Sequence, residues 1–353
     1  MNGEKSVNGN EGVIEYISVI QSLKSDDKIA VYRGETRDYG ATACQPNVFR
    51  DGYLDNNERL EKNILDEMTA NHIAKGDSYL EKAINAQHGG FPSRLLDVSY
   101  NSLVALFFAT TPFYTKKITE SDAEDGYVYI FSLDEMYCPV GDGIKDNYMA
   151  LISDEYEWFS SSTLFNRNFK LIDHIKTNSR IIAQQGAFIL FQGMDAHSIP
   201  TNMYTRIKID RKAKPRIRKQ LKDLFGIHMG TIYPEENNLV DEIISKSRIT
   251  NSMPFTLENE LQLVLNALEN DIDCLLCDIL LNDNINCIRE FEKLVFWYKS
   301  GYLTLIRTLN SEKEQLVMKK FQKKYNQCID RAITRIKNKY NDIFINRAEL
   351  LVE

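Results

Sequence analysis

Long apolar runs are missing from this chain of 353 residues. No span approaches the ~18 consecutive apolar residues of a transmembrane helix. The first residues, 1–12, are polar and lack the apolar core of a signal peptide. Six cysteines are scattered along the chain, a pattern typical of free thiols in a reducing compartment. These absences predict a soluble cytoplasmic protein that makes no contact with a membrane.

Metal-binding and phosphate-binding motifs are also scarce. The five histidines lie far apart and show no HExxH or similar ligand spacing. Cys274 and Cys277 have neither a second cysteine pair nor a nearby histidine, and they fall within an apolar helical pattern that favours two buried thiols. No Walker-type loop or GxGxxG element occurs. We therefore predict no metal site and no common nucleotide-binding loop.

The overall charge gives no reason to expect a nucleic-acid partner. The net charge is −7, although the field that matters for binding is the local one. A local basic stretch does occur at Lys208–Lys219. This stretch is either a contact for nucleic acid or a solvated face of the protein, and we modestly favour the solvated face.

The order of strand and helix patterns predicts an α+β protein in three parts. Residues 1–27 form an N-terminal segment with a short helix, and residues 28–250 form a mixed domain with a small, mostly antiparallel sheet and flanking helices. Strands are expected at 28–33, 126–131, 180–191 and 204–210. From Phe255 the strand patterns vanish, and helices near 256–281, 286–308 and 311–345 predict a helical domain over 251–353.

A polar stretch, Gln87–Asp97, stands directly before the apolar run Leu103–Ala109. The run predicts a buried helix, so the preceding polar residues either enter the core or line a cavity. For Arg94 and Asp97 we favour a buried ion pair that positions the turn, because buried charges are almost always paired. His88 lies beside two glycines, and the ordinary pKa of its side chain suits acid or base work.

Four separated motifs resemble the FRG domain, a family named for a Phe-Arg-Gly motif that reads Tyr32-Arg33-Gly34 in this chain. They occur in the order expected for that domain and span roughly residues 28–245. The resemblance implies a prokaryotic or viral protein and suggests phage defence or a toxin-like role. The motifs are Tyr32–Glu35, Gln87–Asp97, Asn101 with Leu103–Ala109, and Arg180–Phe188.

The motifs together predict one polar cleft that binds a nucleotide-like ligand. The arrangement is similar to that of ADP-ribosyltransferases, where an arginine holds the phosphates or ribose of NAD. In those enzymes a glutamate on a later strand stabilises the charge that develops as nicotinamide leaves. The predicted ligand contacts are Arg33, Gln87, Gln184, Arg94 and Asp97, and the predicted catalytic residues are His88, Glu35 and Gln185.

The glutamines depart from the enzyme pattern, because an amide cannot supply a full negative charge. Either Glu35 or Asp97 serves as the carboxylate, or the chain does not perform this reaction. One alternative is a non-catalytic module that binds nucleic acid or a protein, the latter through the C-terminal helices. Another is hydrolysis of a nucleotide by His88 and Asp97.

Overall fold

We describe the protein from a computed structural model. Its elements follow the α+β class expected from the sequence. The residues that the structure describes are 5–7, 12–23, 27–50, 53, 60–87, 90–112, 122–153, 156–160, 162–176, 178–193, 197–341 and 343–352.

The first part of the chain is built on a mixed, mostly antiparallel sheet. Its spatial order is β1-β8-β4-β2-β3-β7-β6-β5, with parallel pairing only between β1 and β8 and between β5 and β6 among the described strands. The strands are β1 Lys5–Val7, β2 Ile29–Glu35, β3 Leu95–Ser99, β4 Gly126–Leu133, β5 Met136–Tyr137, β6 Lys170–Ile172, β7 Gly186–Leu190 and β8 Tyr204–Ile209.

Helices cover this sheet and connect its strands. The buried helix predicted near Leu103–Ala109 is confirmed as α4, whose first turn is capped by the Asn101 side chain. The helices are α1 Val13–Leu23, α2 Leu60–Ala70, α3 Tyr79–Ala86, α4 Ser102–Thr110, α5 Asp142–Ser153, α6 Glu157–Ser160, α7 Ser179–Gln184, α8 Lys214–Phe225, α9 Met229–Ile232 and α10 Glu236–Ile249.

Gly34 allows helix α4 to lie directly on strand β2. A Cβ atom at this position would overlap the carbonyl oxygen of Ala105 and the amide nitrogen of Ala109. The glycine of the Tyr32-Arg33-Gly34 motif is therefore required by close backbone approach rather than by an unusual backbone angle. This contact fixes the strand that carries Arg33 against the central helix.

One face of the sheet is covered by two separate apolar clusters. The first joins α1, α4 and α8 to β4 and β8, and the second joins α2, α3 and α5 to β6 and β7. A third cluster lies on the opposite face of the sheet. It is formed by the residues that alternate along the strands with those of the first two clusters. The gap between the first two clusters falls where β2 meets β3.

Strands β2 and β3 pair at a single position, Tyr32 with Ser99. Next to this pair the Arg33 side chain links the two strands, because its Nη1 donates a hydrogen bond of 2.8 Å to the carbonyl oxygen of Asp97. The sheet is thus held together at its centre partly by a side chain. Because β2 and β3 pair at only one position, polar side chains can lie between the two strands without breaking backbone hydrogen bonds.

The segment 180–191, predicted as one strand, is a helix followed by a strand. Asn178 caps α7 by accepting a hydrogen bond from the amide of Arg180, and the helix ends at Gln185 in the left-handed region with φ 46°. Strand β7 begins at Gly186. The prediction missed the cap because it read the apolar residues 181–183 as the start of the following strand.

The contacts divide the chain into two compact units, Met1–Arg248 and Ile249–Glu353. The helical character predicted for the second unit is confirmed, and its helices bury one apolar face each around a common core. No helix among the described residues is long and apolar enough to cross a membrane. The helices of this unit are α11 Leu257–Leu281, α12 Cys287–Ile306, α13 Glu312–Lys339 and α14 Arg347–Leu350.

Candidate functional site

A polar cavity of about 300 Å³ opens where β2 and β3 diverge. This volume lies at the lower end of the range for small-molecule sites. Its walls combine three arginines, two carboxylates and several neutral donors and acceptors. The lining residues are Tyr32, Arg33, Gly34, Glu35, Thr36, Tyr39, Arg50, Gln87, Asp97, Val98, Ser99, Phe108, Thr111, Arg180, Gln184 and Tyr233.

Arg33 and Glu35 line this cavity from alternate positions of β2. The Arg33 Nε donates a hydrogen bond of 3.2 Å to Glu35 Oε1, and the amide of Cys44 donates to the same oxygen at 3.0 Å. Loss of solvation would lower the pKa of Arg33, but the negative charges of Glu35 and Asp97 outweigh it and raise that pKa. Arg33 is therefore a cation at neutral pH that is held in place by Glu35 and by the Asp97 carbonyl oxygen.

Asp97 brings a second carboxylate to the cavity from strand β3. Its side chain is exposed to the cavity, yet loss of solvation raises its pKa, while the positive charges of Arg33 and Arg180 act in the opposite direction. The side chain can be exposed and still lose much of its solvation because the carboxylate faces a recess rather than open solvent. A carboxyl group with a raised pKa suits proton transfer.

Arg180 lies against Tyr233 at the edge of the same cavity. Its guanidinium carbon is 4.4 Å from the centre of the Tyr233 ring, a cation–π distance. The Glu235 carboxylate is 3.7 Å from Arg180 Nη1, which is longer than a hydrogen bond. Burial raises the pKa of Tyr233 to about 12, so its hydroxyl stays protonated at neutral pH.

Arg50 reaches the cavity from the long loop after β2. Its Nη2 donates a hydrogen bond of 2.9 Å to the carbonyl oxygen of Thr42, and its guanidinium carbon is 5.7 Å from the centre of the Tyr39 ring. Burial and then the positive charge of Arg33 lower the pKa of Arg50. Two arginines therefore lie close enough to repel each other, which is a favourable setting for an anionic ligand.

The structure separates the two adjacent glutamines of the prediction. Gln184 lines the cavity and donates a hydrogen bond of 3.2 Å to the carbonyl oxygen of Ile232. Gln185 is exposed, and its backbone carbonyl accepts a hydrogen bond from the amide of Tyr100. Gln87 lines the cavity, and its Nε2 donates a hydrogen bond of 2.9 Å to the carbonyl oxygen of Leu95. The predicted acid or base His88 lies outside the described residues.

Arg94 does not line the cavity and does not pair with Asp97. It is fully buried, and its Nε lies 2.7 Å from Glu61 Oε2. Tyr148 donates a hydrogen bond of 2.8 Å to the other Glu61 oxygen. The predicted Arg94–Asp97 ion pair is wrong. The two residues are three positions apart along the extended chain at β3, so their side chains point to opposite faces of the sheet.

The predicted nucleic-acid contact at Lys208–Lys219 contains several compensated cations. Lys208 Nζ is 2.9 Å from Asp125, and Arg218 makes two hydrogen bonds of 2.7 Å to the carboxylate of Asp122. Lys214 is buried and donates a hydrogen bond to the carbonyl oxygen of Thr36. These pairings reduce the positive field of the stretch, and a nucleic-acid role for it stays a prediction.

The C-terminal unit has an apolar groove of about 400 Å³ among α11, α12 and α13. Trp297, at its edge, is 69% exposed. An exposed aromatic side chain of this kind is frequent at protein interfaces. A protein partner for these helices stays a prediction, as it was from the sequence.

Comparison with known families adds one finding to this geometry. The class defined by fold and site is an α+β domain with an arginine-rich cavity at the centre of its sheet. Residues 28–117 match the family model of the FRG domain, so the chain contains an FRG domain. Comparisons with curated proteins and with solved structures give no match.

The matched segment supplies only part of the cavity wall. It contains Arg33, Glu35, Arg50 and Asp97, whereas Arg180, Gln184 and Tyr233 lie beyond residue 117. Sequence reasoning missed Arg50, Arg180 as a separate ligand contact, and the lining residues Tyr39 and Tyr233. Arg50 is a single cation in an aperiodic loop, and no local pattern distinguishes it from a surface arginine. No group of three or more metal-ligating side chains occurs in the described part of the chain.

Proposed function

We propose that the cavity binds a nucleotide-like ligand through its phosphate groups and uses NAD in an ADP-ribosyltransferase-like reaction. The observation that carries the proposal is the convergence of Arg33, Arg50 and Arg180 with Glu35 and Asp97 in one recess. Arginine binds phosphate through a planar fork of donors. Carboxylates beside it can bind sugar hydroxyls and stabilise positive charge.

The reaction assigns different tasks to the two carboxylates. The bond from the ribose to nicotinamide breaks, nicotinamide leaves, and the oxygen or nitrogen of an acceptor forms the new bond to the same ribose carbon. Glu35 already accepts hydrogen bonds from Arg33 and the Cys44 amide, so its position is fixed and suits stabilisation of the developing charge. Asp97, with its raised pKa, suits removal of the acceptor's proton.

The proposal is tested by incubating the protein with labelled NAD, in buffer and with cell lysate. Release of nicotinamide and transfer of label to macromolecules are the two readouts. Glu35→Gln is expected to lower the rate of nicotinamide release by about 10²–10³-fold, as removal of a charge-stabilising group does elsewhere. Asp97→Asn is expected to lower transfer more than it lowers binding.

Glu67→Gln is the matched control, since Glu67 is exposed on α2 and does not line the cavity. It should leave both readouts unchanged. If wild-type protein neither binds NAD nor releases nicotinamide, the NAD-using reaction is wrong. The alternative, a non-catalytic module for nucleic acid or protein, then becomes the better explanation, and the phage-defence or toxin-like role would have to act through binding.

A further inference from the structure

Four buried polar atoms around the cavity have no hydrogen-bond partner within the described ranges. They belong to residues that all line it: Glu35 Oε2, Arg50 Nε, Thr111 Oγ1 and Arg180 Nε. Glu35 and Thr111 are only 4% and 6% exposed. Because buried polar atoms are normally hydrogen-bonded, their concentration in one recess indicates where ligand atoms are expected.

These groups fall on two sides of Arg33. On one side, Arg50 lies over the Tyr39 ring near Glu35; on the other, Arg180 lies over the Tyr233 ring near Asp97. Arg33 bonds to both sides, through Glu35 Oε1 and through the carbonyl oxygen of Asp97. Each side therefore offers an arginine on an aromatic ring beside a carboxylate.

We propose that the cavity contains two anion subsites that together select a ligand with at least two phosphate groups, such as a nucleoside diphosphate. We call them the Arg50 subsite (Tyr39, Arg50) and the Arg180 subsite (Arg180, Tyr233); Glu35 and Asp97 lie beside them and bind other groups of the ligand. This inference rests on the proposed phosphate-binding function. It deepens that function by assigning the two linked phosphate groups of such a ligand to separate subsites and by giving Arg50 a role in binding one of them.

The chemistry of each subsite supports a diphosphate over a monophosphate. A guanidinium group that contacts a ring through its face, as a cation–π pair can, keeps its in-plane N–H donors available for phosphate oxygens. Arg50 and Arg180 contact different tyrosine rings of the cavity, so we infer that each binds one of two linked phosphate groups. The second oxygen of Glu35 then accepts a hydrogen bond from a hydroxyl group of the attached sugar, because an ionised carboxylate only accepts.

Calorimetric titration with AMP, ADP and inorganic pyrophosphate tests this division. We expect wild-type protein to bind ADP at least about tenfold more tightly than AMP, since one charge-assisted contact is worth about a factor of ten or more. Arg50→Gln and Arg180→Gln should each lower the affinity for ADP by about tenfold or more. Each should also bring the ratio of ADP to AMP affinity close to one.

Arg248→Gln is the matched control, because Arg248 is exposed and does not line the cavity. It should leave every affinity unchanged. If AMP and ADP bind wild-type protein equally, or if Arg50→Gln leaves their ratio unchanged, the two-subsite arrangement is wrong while phosphate binding stands. If none of the three probes binds wild-type protein, the two-subsite inference is wrong, while the NAD assay described above decides the proposed function separately.

Wild-type protein gives the AMP and ADP comparison without any substitution, so misfolding of a variant cannot hide the answer. Arg50→Lys offers a second variant that keeps the charge and loses the planar fork. We expect it to recover only part of the ADP affinity, since lysine acts as a point charge. Full recovery by lysine would overturn the specific role of the guanidinium group of Arg50.

Discussion

The Glu61 network and the cavity of the same domain are both built from arginines, carboxylates and tyrosines. They differ in how completely their polar atoms are hydrogen-bonded. In the Glu61 network, Arg94, Glu61 and Tyr148 are fully buried and hydrogen-bonded to one another, and Arg94 Nη1 also donates to the carbonyl oxygen of Gly193. Around the cavity, Arg50, Arg180 and Glu35 each keep a buried polar atom without a described partner. The residue types are nearly the same in both places.

This difference separates a structural group from a candidate site. A buried charge whose hydrogen bonds are all made stabilises one arrangement of the chain and leaves nothing to bind a ligand. A group with unmet donors and acceptors beside a recess costs stability and gains it back when a complementary ligand arrives. Side-chain type alone does not distinguish the two, but the count of unmet hydrogen bonds does.

The largest expected effect comes from breaking the Glu61 network. Arg94→Ala should lower the free energy of unfolding by about 3–5 kcal/mol, because it leaves the Glu61 carboxylate buried without its cation. Arg180→Gln, on the cavity side, should change it by less than about 1 kcal/mol. Urea unfolding followed by circular dichroism measures both values, and equal losses would remove the distinction between the two groups.

The next effect concerns the helix that lies beside the cavity. Gly34→Ala should destabilise the domain by about 1–3 kcal/mol, because the added methyl group overlaps the backbone of α4 at Ala105 and Ala109. Gly143→Ala is the control, since a Cβ there meets nothing within 4 Å. That control should change stability by no more than about 1 kcal/mol, in the stabilising direction. Thermal melts that showed the same shift for both would contradict the close approach.

A smaller effect separates Asp97 from paired carboxylates through pH. Its pKa is raised in the folded state, mainly by lost solvation, so folding favours the neutral form. The contribution of this group to stability is therefore greatest below the unfolded-state pKa of about 3.9 and is lost as pH rises through the folded pKa. Asp97→Asn should accordingly stabilise the protein more at pH 7 than at pH 3.

Denaturant titrations at the two pH values measure this difference. Asp97→Glu, which keeps the ionisable group, is the matched control and should retain the pH dependence of wild-type protein. A stabilisation by Asp97→Asn that is the same at both pH values would show that desolvation does not govern this carboxylate. It would also weaken the role in proton transfer proposed for it.

The smallest effect concerns the two glutamines at the end of α7. Gln185→Gly should change the free energy of unfolding by no more than about 1 kcal/mol, since Gln185 is exposed and holds a left-handed backbone that glycine adopts readily. It should leave ADP affinity unchanged. Gln184→Ala, which removes a lining residue, should weaken that affinity, and the reverse ranking in calorimetry would return Gln185 to the site.

Local sequence patterns predicted the framework of the site well. The buried helix, the strand that carries Arg33 and the helical C-terminal segments follow from apolar periodicity and caps, which depend on neighbouring residues. The placement of Gln184 and Gln185 on a strand was wrong because a capped helical turn was read as part of it. The favoured partner of Arg94 was wrong because Glu61 is 33 residues away, beyond the reach of any local pattern.

The sequence by itself determined the α+β class, the order of the elements and the motifs that lead to an FRG domain. Those properties depend on short-range preferences that can be read directly along the chain. Only the tertiary structure decided which arginine is paired and which faces the cavity, because Arg50 and Arg180 lie 130 positions apart in the sequence (180 − 50) and both reach the place where β2 and β3 diverge. Side-chain pairing across such distances depends on packing of the whole sheet, and the separation of a closed ion pair from an open site follows from that packing.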